Sequence, residues 1–297
     1  MHTASPSISL AIPAPLVNAM TVDVEDYFQV SAFEPYIPRR DWERIPRRVG
    51  DNTHRILDLF AQHGIKATFF TLGWVAERHP DLVRRMVAEG HELASHGYEH
   101  RRATEQSPRA FGADISRTKA LLEDLGGVEV RGYRAASYSI GADNLWALEA
   151  LERAGYRYSS SIYPIRHDLY GMPEAPRFAF YPQQAPRLLE VPVTTLFLAG
   201  RKLPCGGGGY FRLLPYGLSR WAMGRVNRHD RQACVFYFHP WEIDPAQPRQ
   251  PGLDTKTRFR HYLNLGRMEG RLSRLLRDFR WDRMDRIFLE EVKPREQ

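Results

Sequence analysis

The sequence has few cysteines and no long apolar run, and each shortage excludes a class of protein. Cys205 and Cys234 are the only cysteines in 297 residues, which is too few for a disulfide framework, and neither lies in a metal-binding spacing. We therefore expect two free thiols in a reducing compartment. No stretch of eighteen apolar residues occurs, so we expect no transmembrane segment.

The N-terminal segment also lacks the marks of a secretory signal. Its apolar patch at residues 10–17 follows no basic region and is interrupted by Pro13 and Pro15. We expect residues 1–17 to form a flexible segment without a signal peptide. The protein is then expected to be cytoplasmic.

The balance of charge is basic, with a net charge of +7 and a pI near 9.5. Such a balance suits a polyanionic partner. The arginines nevertheless alternate with aspartates and glutamates along the chain, and no nucleic-acid motif is recognisable. We expect no nucleic-acid partner, and the 43% hydrophobic and 26% charged composition is typical of a soluble globular protein.

Two histidines four residues apart, His96 and His100, are the first candidate for chemistry. On a helical turn they would lie on the same side, so both imidazoles could bind a single divalent ion. The pair follows a predicted strand at residues 92–95, and an upstream strand ends in a carboxylate-rich stretch that contains Asp23, Glu25 and Asp26. Two histidines and one carboxylate make an open metal site with room for a water molecule.

Predicted strands and helices alternate seven times, which favours a parallel sheet that closes, or nearly closes, into an α/β barrel. Such barrels carry their chemistry at the C-terminal ends of the strands. This rule brings together residues that are far apart in the sequence: Asp23, Glu25, Asp26, His96, His100, Arg134 and His239. We expect a barrel over residues 18–245 and a helical extension over 246–297, with the apolar stripe of one long helix packed on the outside.

Four consecutive glycines at 206–209 raise the alternative of a phosphate-binding loop. No Lys-Ser/Thr pair follows them and no strand leads directly into them, so a Walker-type site is not expected. A flexible loop that lets a bulky ligand approach the backbone is the better interpretation.

Four motifs occur in a fixed order: Thr-Val-Asp-Val-Glu-Asp (21–26), Ser-His-Gly-Tyr-Glu-His (95–100), Arg-Ala-Ala-Ser-Tyr-Ser (134–139) and Tyr-Phe-His-Pro-Trp (237–241). Together they resemble the polysaccharide deacetylases of the NodB-homology superfamily, carbohydrate esterase family four. The likeness runs from about Ala19 to Phe288 and is greatest to the branch associated with exosortase/PEP-CTERM exopolysaccharide loci. It implies a distorted seven-stranded (β/α) barrel of the NodB-homology type with a helical C-terminal extension.

The resemblance also implies roles for the residues in the motifs. His96, His100 and one acidic residue of strand one would hold one divalent metal ion, and we expect zinc. Asp23 would be the general base, Arg134 would brace it, and His239 would be the general acid.

The identity of the third metal ligand stays open between two neighbouring residues. The period of two along a strand favours Glu25, because it faces the same side as Asp23. The family's residue type, a short carboxylate at the start of the loop, favours Asp26. We prefer Asp26.

The activity implied by the resemblance is hydrolysis of the acetamide on N-acetylhexosamine units of an exopolysaccharide or its precursor, with release of acetate. Tyr138, Tyr210 and Trp241 are the candidate substrate contacts, since flat rings can stack on sugar faces. Peripheral association with an exopolysaccharide synthesis complex would fit the same setting. Two alternatives are a metal-free, allantoinase-like amide hydrolase on the same fold and a non-catalytic polysaccharide-binding scaffold protein. The intact histidine pair argues against the first, and the complete set of catalytic groups argues against the second.

Overall fold

The computed structural model describes residues 16–167 and 170–289. Its first half contains the following helices and strands: β1 (Val17–Val24), α1 (Val49–His63), β2 (Thr68–Thr71), α2 (Gly73–Arg78), α3 (Pro80–Ala88), β3 (Glu92–Ser95), α4 (Pro108–Gly126), β4 (Gly132–Tyr133), α5 (Trp146–Arg153) and β5 (Tyr158–Ser159). The second half contains β6 (Leu189–Glu190), β7 (Thr195–Leu198), β8 (Arg201–Pro204), α6 (Gly208–Leu213), α7 (Tyr216–Arg225), β9 (Val235–Phe238), α8 (Thr255–Tyr262), α9 (Leu265–Asp278), β10 (Arg280–Asp282) and α10 (Met284–Phe288). The expected flexible segment and the end of the extension lie mostly outside the described residues.

Seven parallel strands form a curled half-barrel in the order β9-β1-β2-β3-β4-β5-β6, which confirms the predicted α/β fold. β1 lies between β2 on one edge and β9 on the other. β6 and β9 do not pair directly. The segment between them bridges the gap, because Val235 N–H donates to Thr194 Oγ1 at 2.6 Å and Tyr237 N–H donates to the Gly206 carbonyl at 2.8 Å.

Local sequence signals explain the helices that flank these strands. On α1 the apolar residues Ile56, Leu57 and Phe60 recur at helical spacing and are buried, and the helix ends at Gly64 with a left-handed φ of 65°. α4 begins after Ser107, whose hydroxyl accepts the Ala110 N–H at 3.2 Å. These helices cover the outside of the sheet.

The C-terminal part differs from the single long helix that the sequence predicts. It forms α8 and α9, separated at Asn264, whose φ of 54° lies in the left-handed region that asparagine tolerates. The break is stabilised by Arg212, because its Nη1 donates to the His261 and Leu263 carbonyls. The chain then returns to the barrel, where β10 pairs with the N-terminal end of β1.

Two further expectations concern cysteines and membranes. Cys205 and Cys234 are both free and buried. Among the described residues, no helix is both long and apolar enough to cross a membrane.

His91, at the start of β3, is a buried histidine that the fold keeps neutral. It is 3% exposed, packs against Phe60 and Phe69, and accepts the Ala67 N–H on Nδ1 at 3.1 Å. Burial lowers its pKa to about 3, and Lys66 adds to the effect. The carboxylate of Glu89 is 3.9 Å away from Nε2, too far to offset the loss of hydration.

This burial predicts a specific pH dependence of stability. His91 is protonated near its ordinary pKa of 6.5 in the unfolded chain but only near 3 in the folded chain. The contribution of His91 to the free energy of unfolding is therefore highest above pH 6.5 and decreases as pH falls from 6.5 towards 3, because only the unfolded chain gains this proton. In His91→Asn, which keeps an acceptor for the Ala67 N–H, the loss of stability from neutral pH to pH 5 should be smaller by about 1–2 kcal/mol. Urea unfolding at several pH values measures it, with exposed His229→Asn as control. Parallel pH profiles for wild type and His91→Asn would contradict the prediction.

Candidate metal and catalytic site

The C-terminal ends of β1, β3, β4 and β9 meet at a cavity of about 590 Å³. Seven residues singled out in the sequence line it: Asp23, Glu25, His96, His100, Tyr138, His239 and Trp241. Arg134 lies directly behind Asp23 and is fully buried. The strand-end rule therefore brings together segments that the sequence separates by more than two hundred residues.

Three of these residues form a compact cluster of potential metal ligands. Glu25, His96 and His100 each offer a ligand atom, these atoms lie within 4.8 Å of one another, and all three residues are buried. The spacing suggested a helical turn, but the two histidines lie on a loop instead. Gly97 with φ 74° and His100 with φ 50° bend the segment after β3 into a tight loop, which turns both rings to the same point.

The chemistry of these ligand atoms fits a divalent cation. His96 donates Nδ1–H to the Arg134 carbonyl at 2.8 Å, which leaves the lone pair of Nε2 available, an arrangement typical of metal-binding histidines. Glu25 Oε2 and His100 Nδ1 are buried without a hydrogen-bond partner among the described residues, and such orphaned atoms are costly. Glu25 Oε2 lies 2.9 Å from His100 Nε2, but the two atoms are not aligned for a hydrogen bond. Two nitrogens and one carboxylate suit zinc and leave open coordination positions.

The charge states of the cluster also suit a cation. Burial alone would raise the pKa of Glu25, but His100 and His239 outweigh it and lower that pKa to about 2. Burial lowers the pKa of His96 to about 4. An ionised carboxylate and a neutral imidazole are the forms that bind metal.

The structure corrects the preference for Asp26 as third ligand. Its Oδ2 accepts the backbone N–H groups of Arg48 and Val49 at 2.7 and 3.0 Å, and its Oδ1 accepts the Tyr27 N–H at 2.9 Å. The carboxylate thus caps the start of α1, where free N–H groups and the helix dipole favour an anion. Glu25, on the same side as Asp23, occupies the position beside the histidines.

Asp23 and Arg134 form a buried ion pair beside the cluster. Arg134 Nη1 donates to Asp23 Oδ1 at 2.6 Å and to Thr21 Oγ1 at 2.8 Å, while Nη2 donates to Ser160 Oγ at 3.0 Å. The guanidinium also lies 4.0 Å above the Phe70 ring. Arg134 thereby occupies one oxygen of Asp23, and the other oxygen, Oδ2, lies 3.9 Å from His239 Nε2.

His239 is held by a glutamate and an arginine that the sequence analysis did not identify. Its Nδ1 donates to Glu242 Oε1 at 2.8 Å, and Glu242 Oε2 accepts from Arg212 Nε at 2.6 Å. Burial alone would lower the pKa of His239, but Glu25 and Glu242 more than offset it and raise that pKa to about 9. A raised pKa favours the protonated imidazole, and Nε2 lies 3.4 Å from Glu25 Oε1 at the cavity.

The predicted aromatic substrate contacts are only partly brought together. Tyr138 lines the cavity from the bent loop after Arg134. Trp241 also lines it, but this side chain is 6% exposed and stacks on His239 and His261, so little of its ring is available to a sugar. Tyr210 lies on α6 and is not among the residues that line the cavity.

The glycines at 206–209 were expected to let a bulky ligand approach the backbone, but three of them lie against other parts of the same chain. A Cβ on Gly206 would lie 2.4 Å from the Val235 carbonyl, one on Gly207 would lie 2.7 Å from the Tyr237 ring, and one on Gly208 would lie 2.3 Å from the Glu242 carboxylate. The glycines therefore let the chain's own β9 and Glu242 pack closely. The run supports His239 rather than a ligand.

Two family models match consecutive parts of the chain. Residues 42–159 match the family described as polysaccharide deacetylase, and residues 160–289 match a domain of unknown function, DUF3473. The candidate site draws on both parts and on the segment before them: Asp23 and Glu25 precede the first match, the histidine pair and Arg134 lie within it, and His239 lies within the second.

Curated relatives match part of the chain. A peptidoglycan-N-acetylglucosamine deacetylase from Bacillus cereus is 36% identical over 98 residues, which are 33% of this chain and 36% of the relative. A chitooligosaccharide deacetylase from Rhizobium leguminosarum bv. trifolii is 42% identical over 76 residues, 25% of this chain and 35% of the relative. The chain thus matches about a third of the length of these relatives.

A solved structure supports the fold across the whole chain. A Mycobacterium smegmatis protein assigned as a polysaccharide deacetylase superposes with a TM-score of 0.61 at 17% identity, covering 99% of this chain and 98% of that one. At this identity the likeness concerns the fold alone.

Substitutions at the two neighbouring carboxylates should have opposite effects. Asp26→Asn should lower the free energy of unfolding by about 1–2 kcal/mol, because an amide nitrogen replaces an oxygen that accepts backbone N–H groups. It should leave the amount of bound divalent metal unchanged. Glu25→Gln should bind much less metal, because three protein ligands tolerate no loss. Metal analysis and denaturant unfolding of both variants measure the two effects, and normal metal content in Glu25→Gln would contradict the assignment.

Proposed function

We propose that this protein is a polysaccharide deacetylase that hydrolyses the acetamide of N-acetylhexosamine units in an exopolysaccharide or its precursor, releasing acetate and a free amine. The observation that carries the proposal is the joint geometry of one cavity. The cluster of Glu25, His96 and His100 lies beside a carboxylate, Asp23, and a protonated imidazole, His239. Amide hydrolysis requires these three functions: activation of the carbonyl, removal of a proton from water, and protonation of the amine.

The cluster would hold one divalent ion, and we propose zinc. Such an ion supplies a Lewis acid that polarises the acetamide carbonyl and makes a water molecule more acidic. The other groups follow from the chain itself. Asp23 can take the proton of the attacking water on Oδ2, because Oδ1 is occupied by the guanidinium of Arg134.

His239 is suited to the second proton transfer. When the C–N bond breaks, the departing amine needs a proton, and the Nε2–H of His239 points to the cavity that Asp23 lines. Glu242 on Nδ1 fixes the orientation of the ring and favours its protonated form. Water thus contributes a hydroxyl group to acetate and a proton to Asp23, and His239 contributes the proton that completes the amine.

For the setting, we propose the exopolysaccharide branch that the sequence resembles, the one associated with exosortase/PEP-CTERM loci. The protein would act in the cytoplasm, in peripheral association with a synthesis complex. The four motifs support the resemblance to this branch. A second domain, the DUF3473 match, follows the deacetylase match without a gap, as expected for a branch with an extension after the deacetylase core. If it holds, loss of the protein should leave the host's exopolysaccharide with more acetamido groups.

The direct test is an assay of acetate release from a panel of N-acetylated oligosaccharides, with metal analysis of the same sample. We expect acetate release that is lost on chelation and restored by zinc. Activity in metal-free protein would favour the allantoinase-like alternative. Binding of the oligosaccharides without acetate release would favour a scaffold protein.

The two proton-transfer residues should be separable by the leaving group of the substrate. Asp23→Asn and His239→Ala should keep the metal and the fold, and each should reduce acetamide hydrolysis by about 10²–10⁴-fold. An amine departs poorly without a proton, whereas a phenol departs readily. On an activated aryl acetate, His239→Ala should therefore lose far less activity than on an acetamide, while Asp23→Asn should lose activity on both. Equal losses on the two substrates in His239→Ala would show that the amine takes its proton from another group.

A further inference from the structure

Positive charge is concentrated in the second half of the chain, where one stretch contains almost no acidic residues. Residues 195–231 contain seven Lys or Arg residues and a single acidic residue, Asp230, so the stretch has a net charge of +6 against +7 for the whole chain. Along the sequence the arginines look scattered, because many of those outside this stretch have acidic residues close by. Residues 256–280 have eight Lys or Arg residues and two acidic residues, which is the same net charge, so residues 195–231 are one of two basic stretches in this half of the chain.

The same stretch exposes large apolar side chains. Phe197, Leu198 and Leu203 lie on the β7–β8 hairpin, and Leu218 and Trp221 lie three residues apart on α7. Phe197 is 49% exposed and Trp221 is 42% exposed. With Leu213 on α6, six exposed large apolar side chains lie within 25 residues, which is more than the isolated exposed residues that a soluble surface normally carries.

The hairpin and α7 are held together as one unit. α7 lies against β7, and Arg177 joins the base of the hairpin to the segment after α7. Its Nη2 donates to the Thr195 carbonyl at 2.7 Å and pairs with Asp230 Oδ2 at 2.9 Å. We call the exposed apolar residues of this unit, together with its arginines 201, 225, 228 and 231, the hairpin–α7 surface.

Within the described residues, the arginines of this surface are not neutralised by acidic side chains. Arg177 pairs with Asp230, the one acid of the stretch. Across residues 16–167 and 170–289, no carboxylate lies within salt-bridge distance of Arg201, Arg225, Arg228 or Arg231. The surface therefore combines unneutralised guanidinium groups with exposed aromatic and leucyl side chains.

We propose that the hairpin–α7 surface binds the surface of an anionic lipid bilayer. Its apolar side chains would enter the boundary between headgroups and acyl chains, and its arginines would pair with anionic headgroups. A nucleic acid or an acidic polysaccharide would pair with the arginines but would not bury the exposed leucine side chains in an apolar environment.

Vesicle sedimentation with the full chain tests the proposal. The protein should sediment with vesicles of phosphatidylcholine and phosphatidylglycerol and should not sediment with phosphatidylcholine alone. Binding should weaken as salt is raised, because exposed charges are screened. Leu218→Ser/Trp221→Ser and Arg201→Glu/Arg228→Glu should each reduce the bound fraction by about tenfold or more, since each pair removes one of the two contributions.

Matched controls come from elsewhere on the surface. Val128→Ser is the control for the apolar substitutions, because Val128 is 38% exposed. Arg109→Glu is the control for the charge reversals, because Arg109 is exposed in the first turn of α4. Both variants should bind vesicles as the wild type does. None of the substituted residues lines the cavity, so acetate release from a soluble oligosaccharide and the circular dichroism spectrum should be unchanged in all variants.

Three results would overturn the proposal. The first is equal binding, or no binding, to the two kinds of vesicle. The second is unchanged binding in both surface variants. The third is a dimer in solution that Leu218→Ser/Trp221→Ser dissociates, because the surface would then be covered by a second copy of the chain. Binding to nucleic acid that depends on the arginines but not on Leu218 and Trp221 would likewise assign the surface to another partner.

Discussion

The buried ion pair between Asp23 and Arg134 is the constraint on which the rest of the site depends. Two charges inside a barrel are tolerated only if hydrogen bonds satisfy them, and removing one partner of such a pair typically costs about 3–5 kcal/mol. Here Thr21 and Ser160 provide the remaining bonds of the guanidinium. The carbonyl of Arg134 also fixes the tautomer of His96. One residue thus orients both the proposed proton acceptor, Asp23, and a candidate metal ligand, His96, so the two halves of the site cannot move independently.

The second half of the chain is part of the same site rather than an appendage to it. β6 and β9 complete the half-barrel, and both lie within the stretch that matches a domain of unknown function. That stretch also supplies the imidazole and the groups that hold it. Arg212 is buried, binds Glu242, and is itself fixed by the carbonyls of Arg260, His261 and Leu263 at the end of α8. The C-terminal helices therefore determine the position of the candidate acid.

Sequence reasoning succeeded where the chemistry depends on local periodicity and strand ends. The placement of Asp23, His96 and His239 in one cavity follows from the alternation of strands and helices. Sequence reasoning was wrong about Asp26, whose role depends on contacts with residues far away in the sequence. The partners of Asp26 are backbone amides of a helix that begins more than twenty residues later, which no local pattern reveals. Glu242 could have been found, because a glutamate three residues after a histidine at a strand end can reach back to it; nothing near Arg212 in the sequence indicates its role.

The position of β1 has a consequence for the order in which the protein can assemble. β1 is made first, yet two of its three neighbours, β9 and β10, are made near the end of the chain. During synthesis the first strand, with the acidic residues at its end, must therefore wait for most of the polypeptide before the sheet around it is complete. Non-local pairing of this kind slows folding and leaves strand edges open in the meantime. The site therefore cannot form until β9 has been synthesised, and a protein that lacks β10 would leave the N-terminal part of one edge of β1 unpaired.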